Sequence, residues 1–274
     1  MRRGLLALVA AAGLVLVAAG AAGVARWRPA RTSGAARPAH RVAVAAAADL
    51  RFALDELVAQ FRRQRPDVDV SVSYGSSGTF FAQISNGAPF DLFLSADRSY
   101  PDQLAARGLT RAGSGFTYAV GRIVLWVPAG SPIDVMGLGF AALDDDRMHH
   151  VAIANPEHAP YGRAAVAALA SAGRLDRVKS RLVFGENISQ TLQFVQSGAA
   201  DAGIVALSLA VAPTIKDKGR FWEIPRDLYP TLEQGGVILR TAADPAAAED
   251  LRRFIVSPDA RTTLARYGFA PPRT

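Results

Sequence analysis

From Arg41 onward the chain switches between two hydrophobic rhythms. "RVAVAA" is strand-like, and Leu50, Leu54, Leu57, Val58 and Phe61 then recur at helical spacing. That spacing puts five apolar side chains on one helix face, with Asp49 standing where an N-cap is expected and Pro66 marking the stop. Val68, Val70, Val72 and Tyr74 alternate with Asp69, Ser71 and Ser73, as in a half-buried strand. "YGSSGTFFAQI" follows, predicting a loop and a short helix with Phe80, Phe81 and Ile84 inward and Gly87 as its breaker. "DLFLSAD" predicts a buried strand, and a helix runs from there to about Arg107. Strand–helix units in series predict a mostly parallel, helix-covered sheet.

After "YAVGRIVLWV" the pattern restarts. "VAIAN", "RLVFG" and "DAGIVAL" predict strands; "PYGRAAVAALASAG" and "ENISQTLQFVQSG" predict helices, the second with an Asn187…Gln190 capping box. Two α/β units joined by extended crossings near residues 121–127 and 229–237 predict two lobes with a cleft between them. Lobe 1 is expected at 41–122 and 231–274, and lobe 2 at 123–230. Two capped helices close the pattern, one opening at Asp244-Pro245 and one at Ser257-Pro258.

The first forty residues follow other rules. Arg2-Arg3 precedes an uncharged apolar run from Gly4 to Ala25 that ends in small residues. Residues 1–25 therefore read as a secretory signal, or as an N-terminal anchor because the run (4–25) is long for a signal. "WRPARTSGAARPAH" makes 26–40 a linker. Export is expected.

Charge changes the picture only once it is located. The net charge of +7 comes largely from six arginines in residues 1–37; without them 25 basic residues face 24 acidic ones. A nearly neutral folded part does not present a nucleic-acid patch. Cys is absent, excluding disulfides, thiolate metal sites and a Cys nucleophile. "YGSSG" lacks the spacing of a nucleophile elbow, and the histidines, His40, His149, His150 and His158, show no metal-binding spacing. Neither an enzyme nor a metal site is expected, and no cofactor.

Four helices are expected to begin just after strand ends, at Asp49, Ser77, Tyr161 and Ile188. Ligands of open α/β sheets gather there, and each helix start offers unpaired N–H groups and a partial positive charge. Ser76 and Ser77 add hydroxyl donors, and Gly75 and Gly78 are expected to let the backbone approach a ligand. Such neutral donors suit a small, fully deprotonated oxyanion.

The blocks "AAAADL", "YGSSGTFFAQISNGAPFDLFLSAD", "NPEHAPYGRAA", "ENISQTLQFV", "DAGIVALS" and "ARYGF", in order from about Arg41 to Phe269, resemble the periplasmic molybdate-binding proteins of ABC transporters. The resemblance implies a two-lobed type II periplasmic binding fold that closes on molybdate or tungstate and delivers it to a membrane permease. A monomer, periplasmic after export, is expected. It also implies a ligand set: the Ser77 hydroxyl with Ser76 beside it, and backbone N–H groups of Tyr161 and Ile188. Two positions depart from the pattern. Asp49 stands where a hydroxyl or amide donor is usual, and is expected to turn away and cap its helix while N–H groups of Asp49 or Leu50 donate. Ala206 replaces a tyrosine found in some members, so Tyr161 or Ser208 is expected to supply that donor. The alternatives are another oxyanion, such as sulfate or phosphate (Asp49 accepting a hydrogen bond from protonated phosphate), or a sensor module of the same fold.

Overall fold

The computed structural model describes residues 39–272; the signal or anchor expected at 1–25, and all but the end of the expected linker, lie outside them. His40 is already the first residue of β1 (His40–Ala47), paired with Val68, so the fold begins one residue inside that expected linker. A one-turn 3₁₀ segment, Ala48–Leu50, leads into α1 (Arg51–Gln64), whose Leu54, Leu57, Val58 and Phe61 are buried together with Leu50. Full burial stabilises by about 1.5–3 kcal/mol for each large apolar side chain. β2 (Val68–Gly75), α2 (Ser77–Ser85), β3 (Leu92–Ser95), α3 (Ser99–Ala106) and β4 (Phe116–Gly121) follow.

The chain then enters a second sheet at β5 (Ile123–Pro128). After a short turn of helix, α4 (Val135–Leu138), come β6 (Val151–Ala154), α5 (Pro160–Ser171) and α6 (Leu175–Val178). β7 (Leu182–Gly185), α7 (Ile188–Gln196), β8 (Ala202–Ala206), α8 (Leu207–Ala210) and β9 (Gly219–Glu223) complete it. β10 (Leu232–Ile238), α9 (Pro245–Ile255) and α10 (Pro258–Arg266) return to the first lobe.

Each lobe is a five-stranded sheet, ordered β2-β1-β3-β10-β4 and β7-β6-β8-β5-β9. β1 runs parallel to β2 and β3, and β6 to β7 and β8. The two strands that arrive through the crossings, β10 and β5, lie antiparallel to both of their neighbours. A strand entering directly from the other lobe needs no helical crossover, so nothing forces it parallel.

Register decides where the loops meet. Ala47 pairs with Gly75, so the loops after β1 and β2 leave the sheet edge side by side, and Ala154 pairs with Gly185 in the other lobe with the same result. A β-bulge at Gln234/Gly235 lets β10 bend beside the cleft. Among the described residues no helix is long and apolar enough to cross a membrane.

Candidate functional site

Ser76 occupies the N-cap position of α2 with extended backbone, yet its hydroxyl caps nothing. Instead Ser76 Oγ donates across the cleft to the His158 carbonyl, which also accepts the Gly78 N–H at 2.9 Å. The double serine therefore divides its work. Ser77 Oγ accepts the Ala96 N–H at 3.0 Å, which orients the side chain and leaves its hydroxyl hydrogen free to donate. Both serines are buried.

The glycines serve packing more than ligand approach. A Cβ on Gly75 would stand 2.9 Å from the Phe80 ring, and one on Gly78 only 2.6 Å from the His158 carbonyl oxygen. Gly78 thus permits the two lobes to touch.

From the other lobe, α5 opens with Pro160 in its first turn and Tyr161 next to it. α7 opens at Ile188 under a side-chain cap: Asn187 Oδ1 accepts the N–H groups of Ser189 and Gln190 at 3.0 and 3.1 Å. Gln190 reaches back as expected, but to the Glu186 N–H at 2.6 Å rather than to Asn187. First-turn N–H groups have no partner within their own helix. Those of Ser77, Tyr161 and Ile188 are in that position.

These loops line one small cavity, of about 10 Å³. Ala47–Asp49, Gly75–Ser77 and Ala96 line it from one lobe; Ala159–Tyr161, Asn187 and Ile188 line it from the other. All five residues singled out from the sequence, Asp49, Ser76, Ser77, Tyr161 and Ile188, stand around this one space. No Lys or Arg is among the lining residues.

Asp49 does not cap its helix. Leu50 holds the N-cap position of α1 without a side-chain bond, and the Asp49 carboxylate points elsewhere. Its Oδ2 accepts the Tyr161 hydroxyl at 2.9 Å and the Gln234 side-chain amide. Burial pushes its carboxyl up to about 6, against the lowering effect of those two donors and of its own backbone N–H. The capping preference of Asp loses here to two long-range partners.

Nor is Ala206 replaced in the way expected. Ser208 Oγ donates to the Asp49 carbonyl at 2.7 Å, so its hydrogen is spent on the backbone. The Tyr161 hydroxyl is spent on Asp49, and burial with the Asp49 charge beside it pushes that phenol well above its usual range. What Tyr161 can offer the cavity is its N–H.

Gln234 was not legible as a site residue. It is fully buried on β10, and its amide also donates to the Tyr161 oxygen at 3.1 Å. A polar residue between Glu233 and two glycines, just ahead of the apolar run Val237–Leu239, is its one sequence signal. Further contacts hold the lobes together: Ser189 Oγ donates to the Ala48 carbonyl at 3.0 Å, and Arg163 pairs with Asp97 at 2.7 Å. His149 and His150 give their backbone N–H groups to Asp201. Among the described residues no cluster of three or more side chains suits a metal ion.

The comparisons agree with this architecture. The family model described as bacterial extracellular solute-binding protein matches residues 42–270. The molybdate-binding protein ModA of Azotobacter vinelandii is 41% identical over 85% of this chain and 91% of its own length. Its namesake from Rhodobacter capsulatus is 40% identical over 73% and 77%. A solved Azotobacter vinelandii periplasmic molybdate-binding protein superposes with a TM-score of 0.79 at 34% identity, covering 85% of this chain and all of that one. The sulfate-binding protein SubI of Mycobacterium tuberculosis (TM-score 0.69, 18% identity, 85% and 87% covered) shares the fold. The chain belongs to the bacterial extracellular solute-binding protein family, among relatives named for molybdate binding.

Proposed function

We propose that this protein captures molybdate or tungstate in the interlobe cavity, outside the cytoplasmic membrane, and delivers it to an ABC permease. The observation that carries this reading is the convergence of neutral donors from both lobes on a space that no Lys or Arg lines. The names of relatives at 41% and 40% identity support molybdate in particular. A fully deprotonated tetrahedral anion needs acceptor-satisfying groups on all sides. The Ser77 hydroxyl and the N–H groups of Ser77, Tyr161 and Ile188 supply them without the desolvation cost of a buried ammonium.

Capture then works by closure. With the lobes apart, each presents half of the donors. The anion bridges them and shifts the equilibrium toward the form in which Ser76, Gly78 and His158 meet. A smaller anion such as sulfate reaches fewer of the fixed donors and loses closure energy as well as hydrogen bonds.

A thermal-shift panel of the purified protein with molybdate, tungstate, sulfate, phosphate and chloride tests this. A ligand at about a thousand times its Kd stabilises by about 4 kcal/mol, which raises Tm by roughly 10 °C for a domain of this size. Shifts with molybdate and tungstate alone are expected. A shift with phosphate or sulfate instead would reassign the ligand, and no shift with any of them would remove the oxyanion reading.

A further inference from the structure

The two oxygens of Asp49 are unequal. Oδ2 holds the Tyr161 and Gln234 donors, whereas Oδ1, on a side chain only 1% exposed at the cavity wall, has no hydrogen-bond partner. A bare oxygen on a buried carboxylate is costly, and a third negative charge beside a bound dianion is costlier still. Two donors on Oδ2 make it the carbonyl-type oxygen of a neutral acid and leave Oδ1 as the atom that carries a proton.

We propose that Asp49 meets the captured anion as a neutral acid donating from Oδ1, so that binding a dianion takes up one proton from solvent. The inference rests on the oxyanion reading of the cavity. The balance is simple: a carboxylate, a dianion and one solvent proton become a carboxylic acid hydrogen-bonded to the dianion, with two negative charges enclosed instead of three. No bond of the anion breaks.

The groups around Asp49 leave this proton to it alone. Tyr161 on α5 and Tyr118 on β4 are pushed well above the usual phenol range by burial and stay neutral near pH 7. Gln234 on β10 and Ser208 on α8 carry no charge, and no Lys, Arg or His lines the cavity. Burial already raises the Asp49 carboxyl to about 6 in the closed arrangement, and an enclosed dianion beside it raises it further, so above that pH binding brings a proton in. The affinity for a dianion is then greatest at low pH, where Asp49 is already neutral, and falls by up to roughly tenfold per pH unit as the free carboxyl ionises.

Titration calorimetry with molybdate and tungstate from pH 5.5 to 8.5, in two buffers of different ionisation enthalpy, tests the proposal. Proton uptake should approach one per anion at pH 8 and decline below pH 6. The affinity should be at least about tenfold weaker at pH 8 than at pH 5.5. In Asp49→Asn the side-chain amide donates without a titrating proton, so its affinity should be flat with pH and exceed wild type at pH 8. Tight molybdate binding with no proton uptake and a flat wild-type profile overturns the proposal and leaves the oxyanion reading standing. Preference for phosphate, lost in Asp49→Asn, overturns it too by making Asp49 an acceptor. Failure of both anions to bind at every pH defeats the oxyanion reading and this proposal with it. Should the variant not fold, the wild-type proton count decides the matter alone.

Discussion

Gly78 offers a way to separate closure from folding. It lies in the first turn of α2, where alanine is the better helix former by up to about 1 kcal/mol. Within its own lobe the added methyl would stand 2.9 Å from the Tyr100 hydroxyl, the end of a side chain that can yield, so Gly78→Ala costs little there. Across the cleft it costs more. The added methyl would sit 2.6 Å from the His158 carbonyl oxygen and 2.9 Å from the His158 Cα. Both atoms are backbone and cannot swing aside. The lobes would have to stop short, stretching the Gly78 N–H and Ser76 hydroxyl bonds to His158, each worth about 0.5–1.5 kcal/mol. A forced overpacking of about 1–3 kcal/mol is the natural scale. If the ligand-free protein is open, that whole amount falls on binding, predicting molybdate affinity reduced about 5- to 150-fold. Titration calorimetry gives the affinity, and urea unfolding of the ligand-free protein gives the stability. Weaker binding at unchanged stability supports closure onto the anion. Unchanged affinity would refute the reasoning, because no closed form could then need this contact.

Other outcomes follow from the same geometry. Ser77→Ala removes a hydroxyl whose hydrogen is free for the anion, along with the acceptor of the Ala96 N–H, and should weaken oxyanion binding by about 1.5–3 kcal/mol without unfolding the protein; calorimetry showing full affinity would take Ser77 out of the site. Tyr161→Phe keeps the backbone N–H but loses the bond to Asp49, so a smaller loss, about 0.5–1.5 kcal/mol, is expected in the same assay. A loss as large as that of Ser77→Ala would mean that the hydroxyl touches the anion. Asn187→Ala deletes the cap of α7 and should lower stability by about 0.5–2 kcal/mol in urea unfolding.

Much of the scaffold was legible because it depends on local pattern. The α1 stripe, the β2 alternation, and the glycines after α2 and α3 all report through neighbours within one or two turns. The convergence of Ser77, Tyr161 and Ile188 was legible for a related reason: in α/β units the helix starts share one edge of each sheet. What failed was long-range. The direction of β10 depends on the route between the lobes, and no periodicity encodes that route. Asp49 looked like a cap because local rules favour one, whereas its partners lie 112 and 185 positions away. Gln234 was invisible for the same reason seen from the other side. Gly78 was noticed but misread, since the clash it avoids is with another lobe rather than with a ligand.

The interleaved strand order also governs how the molecule is made. β5 through β9 form an uninterrupted stretch that can complete its own sheet as soon as it is available. The first sheet cannot, because β10 slots between β3 and β4 and is supplied only after the entire second sheet has been synthesised. Until then β3 and β4 present unpaired edges, a template for strand pairing between chains. Pairings this distant in sequence slow folding, so the nascent chain spends its early life with one lobe incomplete. A delay of that kind places the greatest aggregation hazard before residue 232 has emerged.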